Sequence, residues 1–341
     1  MNIAGFTNNT GSAQWRLQGP ANYINARTKN QYFVASSNYW NEEAWMPEID
    51  LVVAQMWRNP KGVDFAHSKG VPVVFDADDI ILGLGNDREE LMDLNEKHKK
   101  QTIETYEKVD VITVTTEALA EHYRQYNDNV VVLPNYMDYM WWGEPLKIKN
   151  HGQLRIGWMG SKSHKADLEF IAPVMKRVMK EFDFVKFIFC GFGGKSGIYG
   201  KDIFKDIPPA KREYYPGVNL EYWPYKSKTL GLDIGIAPLV DDGFNAGKSA
   251  IKYYEYSANG VPGVYSDTIV YRDTVKHGVT GFLAKTPDDW YKYLEKLIVD
   301  TQVRKIIRRD AFQDVFDNYN LEDHYKKWVS LYERTCRDSK H

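Results

Sequence analysis

The stretch Pro238–Ser266, PLVDDGFNAGKSAIKYYEYSANGVPGVYS, decides how this chain is read. It opens on the end of an apolar run, Leu232 to Val240, that reads as a strand of a parallel sheet. Asp241-Asp242-Gly243-Phe244-Asn245-Ala246-Gly247 follows as turn chemistry, and a helix is predicted from near Lys248 to about Asn259-Gly260, where the glycine marks its stop. Free backbone N–H groups and the positive dipole end favour an anion at such a helix start. Lys248 adds a charge there and Ser249 a hydroxyl, so the unit is expected to hold a diphosphate, with Asp241, Asn245 and Gly247 bordering it. Gly247-Lys248-Ser249 also resembles the end of a P-loop, although that motif needs four residues between its glycines and only three separate Gly243 from Gly247. A plainer alternative has Gly247 entering a helix whose Lys248 and Lys252 form a solvated face.

Working outward, short β-like runs alternate with helical ones. The first half offers Asn2–Phe6, a helix from about Gln14, Tyr32–Ala35, Leu51–Ala54, Val71–Phe75, a helix over about Asp87–Lys108, Val111–Val114, a helix from Thr116, and Val130–Leu133. After a linker expected within Tyr136–Gly152 the pattern restarts: Leu154–Trp158, a helix over about Lys165–Lys180, Val185–Cys190, Leu220–Trp223, Leu232–Pro238, the Lys248 helix and Gly263–Tyr265. Such alternation predicts an α/β chain of two Rossmann-like, doubly wound parallel-sheet domains, residues 1–140 and 150–320. From Asp288 on the spacing is helical and amphipathic, as in Trp290, Leu294, Leu297 and Ile298.

Composition agrees. The chain has 341 residues, comfortable for two domains, with 43% hydrophobic and 26% charged residues, as in globular proteins. No apolar stretch is long enough to cross a bilayer and the N-terminus MNIAGF reads as a strand and not a leader, so a cytoplasmic location is expected. Cys190 and Cys336 are the only cysteines and stand in no metal or disulfide pattern. Residues 1–150 carry 14 Lys+Arg against 21 Asp+Glu, and the remainder 30 against 25. A basic second half suits a phosphorylated ligand, and an acidic first half argues against nucleic acid and membrane as partners.

Ligands of such domains sit at the carboxyl ends of the strands. Gly160-Ser161 and His164 follow the first strand of the second half, where small residues let backbone N–H groups approach a phosphate and the His donates to a phosphate oxygen or a sugar. Gly191-Phe192-Gly193-Gly194 follows the next strand and is expected to border a nucleotide, but Ser196 stands where a dinucleotide fingerprint needs its third glycine, so NAD fits poorly. Glu255, between Tyr254 and Tyr256, is an acid suited to the two vicinal hydroxyls of a ribose. In the first half, Gly11-Ser12-Ala13-Gln14-Trp15-Arg16 reads as a loop after the first strand, with Arg16 reaching a donor phosphate or an anionic acceptor. Asp76-Ala77-Asp78-Asp79 follows the strand at Val71–Phe75, and carboxylates so spaced are able to hold Mg or Mn with phosphate oxygens. The cationic diphosphate site makes a metal unnecessary, and Asp76, Asp78 and Asp79 are read as acceptor or sugar contacts, Asp78 or Asp79 as a base.

GKSAIKYYEYSANGVPGVYSD, Tyr271-Arg272-Asp273 and Val275 to Leu283 resemble the nucleotide-sugar site of family 4 glycosyltransferases with the GT-B fold. The likeness extends to Ile156 to Ser161 with His164 and Asp167, to Thr115 to Leu119 and to Leu133-Pro134-Asn135, and so spans most of the chain. The resemblance implies two domains facing a cleft, the last helix, about 321–341, returning to the first. It implies transfer of a sugar from a nucleoside-diphosphate donor to an acceptor hydroxyl with retention, and no required cofactor. By the same likeness Glu255 matches the second Glu of the family's paired-Glu motif, and Trp223 or Tyr225 stacks on the base. The first Glu of the pair falls at Gly247, so Asp241 or Asp242 is its expected substitute. Inversion, with Asp78 or Asp79 as base, stays open. So do a nucleotide hydrolase or kinase built on Gly243 to Ser249, and a non-catalytic nucleotide- or sugar-binding protein. The acceptor is equally open among a saccharide, a lipid-linked glycan, a protein, a small molecule and a hydroxylated base in DNA.

Overall fold

The computed structural model describes residues 1–7, 10–41, 47–82, 95–146, 152–161, 164–191 and 202–339. The chain divides into two compact units, Met1–Asp138 with Ala246–Ser249 and Asn320–His341, and Tyr139–Asn245 with Ala250–Tyr319.

Each unit is built on a six-stranded sheet in which every pairing is parallel. The first contains β1 (Asn2–Thr7), β2 (Gln31–Ser36), β3 (Leu51–Gln55), β4 (Val73–Ala77), β5 (Val111–Val114) and β6 (Val130–Val132), in the order β2-β1-β3-β4-β5-β6. The second contains β7 (Leu154–Gly160), β8 (Val185–Gly191), β9 (Arg212–Pro216), β10 (Ile234–Ala237), β11 (Gly263–Ser266) and β12 (Phe282–Ala284), in the order β12-β11-β10-β7-β8-β9. Counted from β7 this is the 3-2-1-4-5-6 order of dinucleotide domains, with its reversal between β7 and β10. In the first unit the order reverses between β1 and β3. The central strands LVVAQ, VVFDA and VITV are buried throughout, which is why they read as near-continuous apolar runs without alternation, interrupted only by Gln55, Asp76 and Thr113. The core of the second unit joins Trp158, Phe187 and Phe189 of the sheet to Trp290, Leu294 and Leu297 of the helix Pro287–Val299.

Four expectations are corrected. Leu220–Trp223 is no strand: Leu220–Tyr222 is a 3-10 turn and Trp223–Thr229 a helix. Pro224 explains it, because proline donates nothing to a ladder and is preset for the first turn of a helix. The strand positions are taken by β9, an edge strand only half-buried, and by the short β12. Gly11 and Ser12 lie in a helical turn, Thr10–Ala13, that runs on through a π-turn, Gln14–Gln18, into the helix Gly19–Arg27. The helix before β5 spans Glu96–Lys108 with Asn95 as its cap, and Asp87 lies outside the described residues. Finally, the helix after β10 spans Ile251–Ala258, so Lys248 and Ser249 precede it and do not start it. Gly243–Ala246 is a separate helical turn, held by Asp242 Oδ1 accepting from the Asn245 N–H at 2.7 Å. A P-loop requires that segment to be an open loop whose helix begins at the lysine, and its geometry is lost here.

Arg16 is a further correction. Read as an exposed phosphate contact, it is fully buried in the first unit. Its Nε donates to Asp76 Oδ1 at 3.0 Å and its Nη2 to Asp76 Oδ2 at 2.8 Å, while Nη1 donates to the Leu133 carbonyl at 2.5 Å and to Asn135 Oδ1 at 3.1 Å. Thr113 Oγ1 donates to Asp76 Oδ2 at 2.7 Å, and the Trp328 ring lies 5.9 Å from the guanidinium. Burial, the largest single effect, opposes the charge, but Asp76, joined by Asp78 and Tyr332, holds the Arg16 pKa above its ordinary value. Asp76, read as an acceptor contact, is only 2% exposed and serves as this partner.

Removing the guanidinium leaves Asp76 buried and unpaired. Arg16→Ala is therefore expected to cost about 3–5 kcal/mol of stability in urea unfolding, and Arg16→Lys to recover little of it, since an ammonium does not reproduce the bidentate fork. A loss below about 1 kcal/mol, the range of exposed pairs, overturns the structural role.

Candidate functional site

Two groups of side chains gather at strand ends, one in each unit, and each is built from the loops that leave the sheet.

In the first unit the polar group starts at the β1/β3 reversal. Thr7 Oγ1 donates to Gln55 Oε1 at 2.8 Å and Gln55 Nε2 to Ser12 Oγ at 3.0 Å. Ser12 hydrogen-bonds in turn to Asp78, just beyond β4. The Asp78 carboxyl is half-buried, with Oδ1 enclosed and lacking a hydrogen-bond partner among the described residues. Desolvation, then the charges of Asp79 and Asp76, push its pKa up to about 7, against smaller opposing effects of Ser12 and Arg16. Asp79 Oδ1 faces Lys248 Nζ at 3.4 Å, and its carbonyl accepts from Tyr123 Oη at 3.0 Å. Asn135 ties the buried pair to the same loop: while Oδ1 accepts from Arg16, Nδ2 donates to Ser249 Oγ at 2.8 Å. Gly247 packs so closely that a Cβ would meet Ile80 at 3.0 Å and Leu119 at 3.1 Å. Any side chain at this position requires Ile80 and Leu119 to give way by a few tenths of an ångström.

In the second unit the group forms around Glu255 and Asp167. Glu255 is 3% exposed on the helix after β10. Its Oε1 accepts from Trp223 Nε1 at 2.7 Å and its Oε2 from Lys252 Nζ at 3.1 Å. Trp223, expected to stack on a base, is buried and spends its polar edge on this carboxylate, while Tyr225 is 68% exposed. A carboxylate has about four acceptor positions, so Glu255 retains capacity for two further donors. Asp167, on the first turn of the helix Lys165–Glu181, accepts from His164 Nδ1 at 2.8 Å, from the Val240 N–H at 2.7 Å and from Asn245 Nδ2 at 3.0 Å.

Gly160 and Gly191 end β7 and β8 side by side. A Cβ on Gly160 would meet Trp158 at 2.5 Å and one on Gly191 would meet Phe189 at 2.8 Å, so both glycines also serve the packing of those stacked rings. Ser161 and Asp241 are exposed, as is Gly11 in the first unit, and Gly193 lies outside the described residues. Asn245 is buried and donates a second bond to the Val240 carbonyl at 2.9 Å. The structure thus places His164, Asn245 and Val240 around one carboxylate, Trp223 and Lys252 around another, and Ser12, Asp78, Asp79 and Lys248 in the other unit. Sequence reasoning missed the roles of Asp167 and Asn135; the only local sign of the former is the His-x-x-Asp spacing, which puts both side chains on one face of a helix start. Among the described residues no group of His, Cys, Asp and Glu is arranged to hold a metal ion, and no helix is long and apolar enough to cross a membrane.

No family model matches the chain. An uncharacterized glycosyltransferase of Methanocaldococcus jannaschii is 23% identical over 253 residues, covering 69% of this chain and 62% of that protein's length. Among solved structures, sucrose-phosphate synthase from Thermosynechococcus elongatus is 10% identical with a TM-score of 0.70, covering 98% of both chains. HepE of Anabaena in complex with UDP is 12% identical with a TM-score of 0.71, covering 98% of this chain and all of that one. A glycosyltransferase from Rickettsia africae is 12% identical with a TM-score of 0.70 and 98% coverage of both chains. With two Rossmann-like units and this likeness over nearly its whole length, the chain has the GT-B fold.

Proposed function

We propose that this protein is a glycosyltransferase that moves a sugar from a nucleoside-diphosphate donor to an acceptor hydroxyl with retention of configuration. The observation that carries the reading is Glu255: a buried carboxylate, clamped by Trp223 and Lys252, on the helix after β10 of a domain with dinucleotide-type strand order. An acid fixed in this way suits two vicinal hydroxyls, as the ribose of a nucleotide presents them. The UDP held by the HepE structure supports the same class of donor, and the name of the archaeal relative the same class of reaction.

The hard step is cleavage of the bond between the anomeric carbon and the diphosphate, and a protein helps chiefly by stabilising the leaving charge. Lys248 and Ser249 are proposed to do so, the first with its ammonium and the second with a hydroxyl oriented by Asn135. Gly160, Ser161 and Gly191 are proposed to border the donor with backbone N–H groups, and Asp241 to meet its sugar. Ser12, Asp78 and Asp79 form the acceptor-side group, in which Asp78, uncharged below about pH 7, offers an O–H to the acceptor. No metal enters this scheme. A nucleotide hydrolase or kinase gains nothing from the helical turn at Gly243–Ala246.

Thermal-shift screening against UDP-, GDP-, ADP- and CMP-sugars tests the reading, since a bound donor stabilises the fold by mass action; no shift with any of them rejects it. Glu255→Gln is expected to weaken binding of the diphosphate so identified by about 1.5–3 kcal/mol in calorimetry, with unchanged affinity removing the ribose assignment. Lys248→Ala is expected to lower turnover by about 10²–10³ while donor affinity falls less; loss of affinity alone makes Lys248 a uniform binding contact. For Asp78 the sign follows from a folded pKa raised above the unfolded value. The native state then binds the extra proton between about pH 4 and about pH 7. Stability is expected to fall as pH rises through that window, and Asp78→Asn to flatten the dependence in melting curves taken across it. A variant whose curve still tracks the wild type refutes the assignment of that titration to Asp78.

A further inference from the structure

The reversal of strand order between β7 and β10 is the place where an open parallel sheet offers its crevice, and a single buried carboxylate bridges the segments that leave those two strands. Asp167 is 1% exposed. Its Oδ2 lies 2.8 Å from Nδ1 of His164, on the segment that follows β7. Its Oδ1 accepts from the Val240 N–H at 2.7 Å and from Asn245 Nδ2 at 3.0 Å, both on the segment that follows β10. The Trp158 ring meets the imidazole edge-on, with centroids 5.8 Å apart and planes at 76°, and restricts the ring's orientation.

An ionised carboxylate only accepts hydrogen bonds, so the imidazole nitrogen that faces it must carry the hydrogen. In the neutral ring the other nitrogen is then an acceptor. We propose that Asp167 is a positioning residue that locks His164 as the Nδ1–H tautomer, so that Nε2 accepts a hydrogen bond from a hydroxyl of the donor's sugar. Phosphate oxygens only accept and find no partner in such a nitrogen, whereas a hydroxyl does. The same carboxylate, through Val240 and Asn245, keeps the histidine in register with the loop after β10. This inference rests on the reading of the chain as a nucleotide-sugar enzyme, but its first test does not.

That test is ¹⁵N-edited NMR of the His164 imidazole in the intact protein at pH 9, well above the usual imidazole range. The Nδ1–H tautomer is expected. In Asp167→Asn the side-chain carbonyl is needed by the Val240 N–H and the Asn245 amide, so the new NH₂ group faces Nδ1 and the ring is expected to invert to Nε2–H. Calorimetry then compares UDP-glucose with UDP. Inversion is expected to weaken UDP-glucose by about two- to tenfold, the worth of one hydrogen bond, and to leave UDP unchanged. His164→Gln, which spares the bonds of Asp167 to the β10 loop, is expected to show the same sugar-dependent loss and serves if Asp167→Asn does not fold. A wild-type Nε2–H tautomer, or an Asp167→Asn protein that keeps Nδ1–H, overturns the proposal; equal weakening of UDP and UDP-glucose reduces Asp167 to a structural role and overturns it too. If the wild type binds neither, the comparison is made with the nucleotide-sugar found by thermal shift and its diphosphate; if none of the UDP-, GDP-, ADP- and CMP-sugars binds, the donor reading fails and takes the sugar contact with it, while the tautomer still decides the positioning role.

Discussion

The Arg16–Asp76 pair is the interaction on which the first unit depends. A guanidinium with no exposure is tolerable only if its donors are met, and the residues that meet them come from separate places in the chain: Asp76 on β4, and Leu133 and Asn135 beyond β6. Trp328, on the helix Lys326–Asp338, covers the group from one side. The cost of desolvating these charges falls due only when all of those segments have assembled, which makes the pair a device of registration more than a source of net stability. Through Asn135 it also reaches Ser249, so the loop proposed to meet the diphosphate is oriented by a charge that never touches ligand.

Four carboxyl groups near the strand ends illustrate how partners set chemistry. Asp76 has a bidentate guanidinium, Glu255 an ammonium and an indole N–H, and Asp167 a backbone N–H, an amide and an imidazole. Each is supplied with hydrogen-bond donors. Asp78 is the exception: its neighbours Asp79 and Asp76 are acids, one of its oxygens is enclosed without a partner among the described residues, and its pKa rises to about 7. Asp76 and Asp78 are the same residue type two positions apart, but Asp76 lies within β4 and faces Arg16, whereas Asp78 lies just beyond the strand beside Asp79.

Parallel pairing explains why these groups assemble at all. In an all-parallel sheet every strand delivers its exit loop to the same edge, so segments distant in sequence, such as His164 after β7 and Asn245 after β10, arrive together. The reversal in strand order separates neighbouring exit loops and opens a crevice there.

Much of this was legible in the sequence. Buried parallel strands are continuous apolar runs, and β3, β4 and β5 announce themselves as LVVAQ, VVFDA and VITV because both of their faces are covered. The amphipathic spacing of Trp290, Leu294 and Leu297 likewise follows from local geometry. Edge strand β9 was not legible, because half-burial leaves REYYP without a periodic signal, nor was the true start of the helix at Ile251, since Gly247, Lys248 and Ser249 are held by Ile80, Asp79 and Asn135, far away in sequence. Sequence alone marked Arg16, Trp223, Glu255 and His164 as candidate ligand contacts; whether each faces a ligand or a buried partner is a matter of which groups the sheet brings within about 3 Å, the reach of a hydrogen bond. Only the tertiary structure could decide it, turning Arg16 and Trp223 inward and setting Asp167 behind His164.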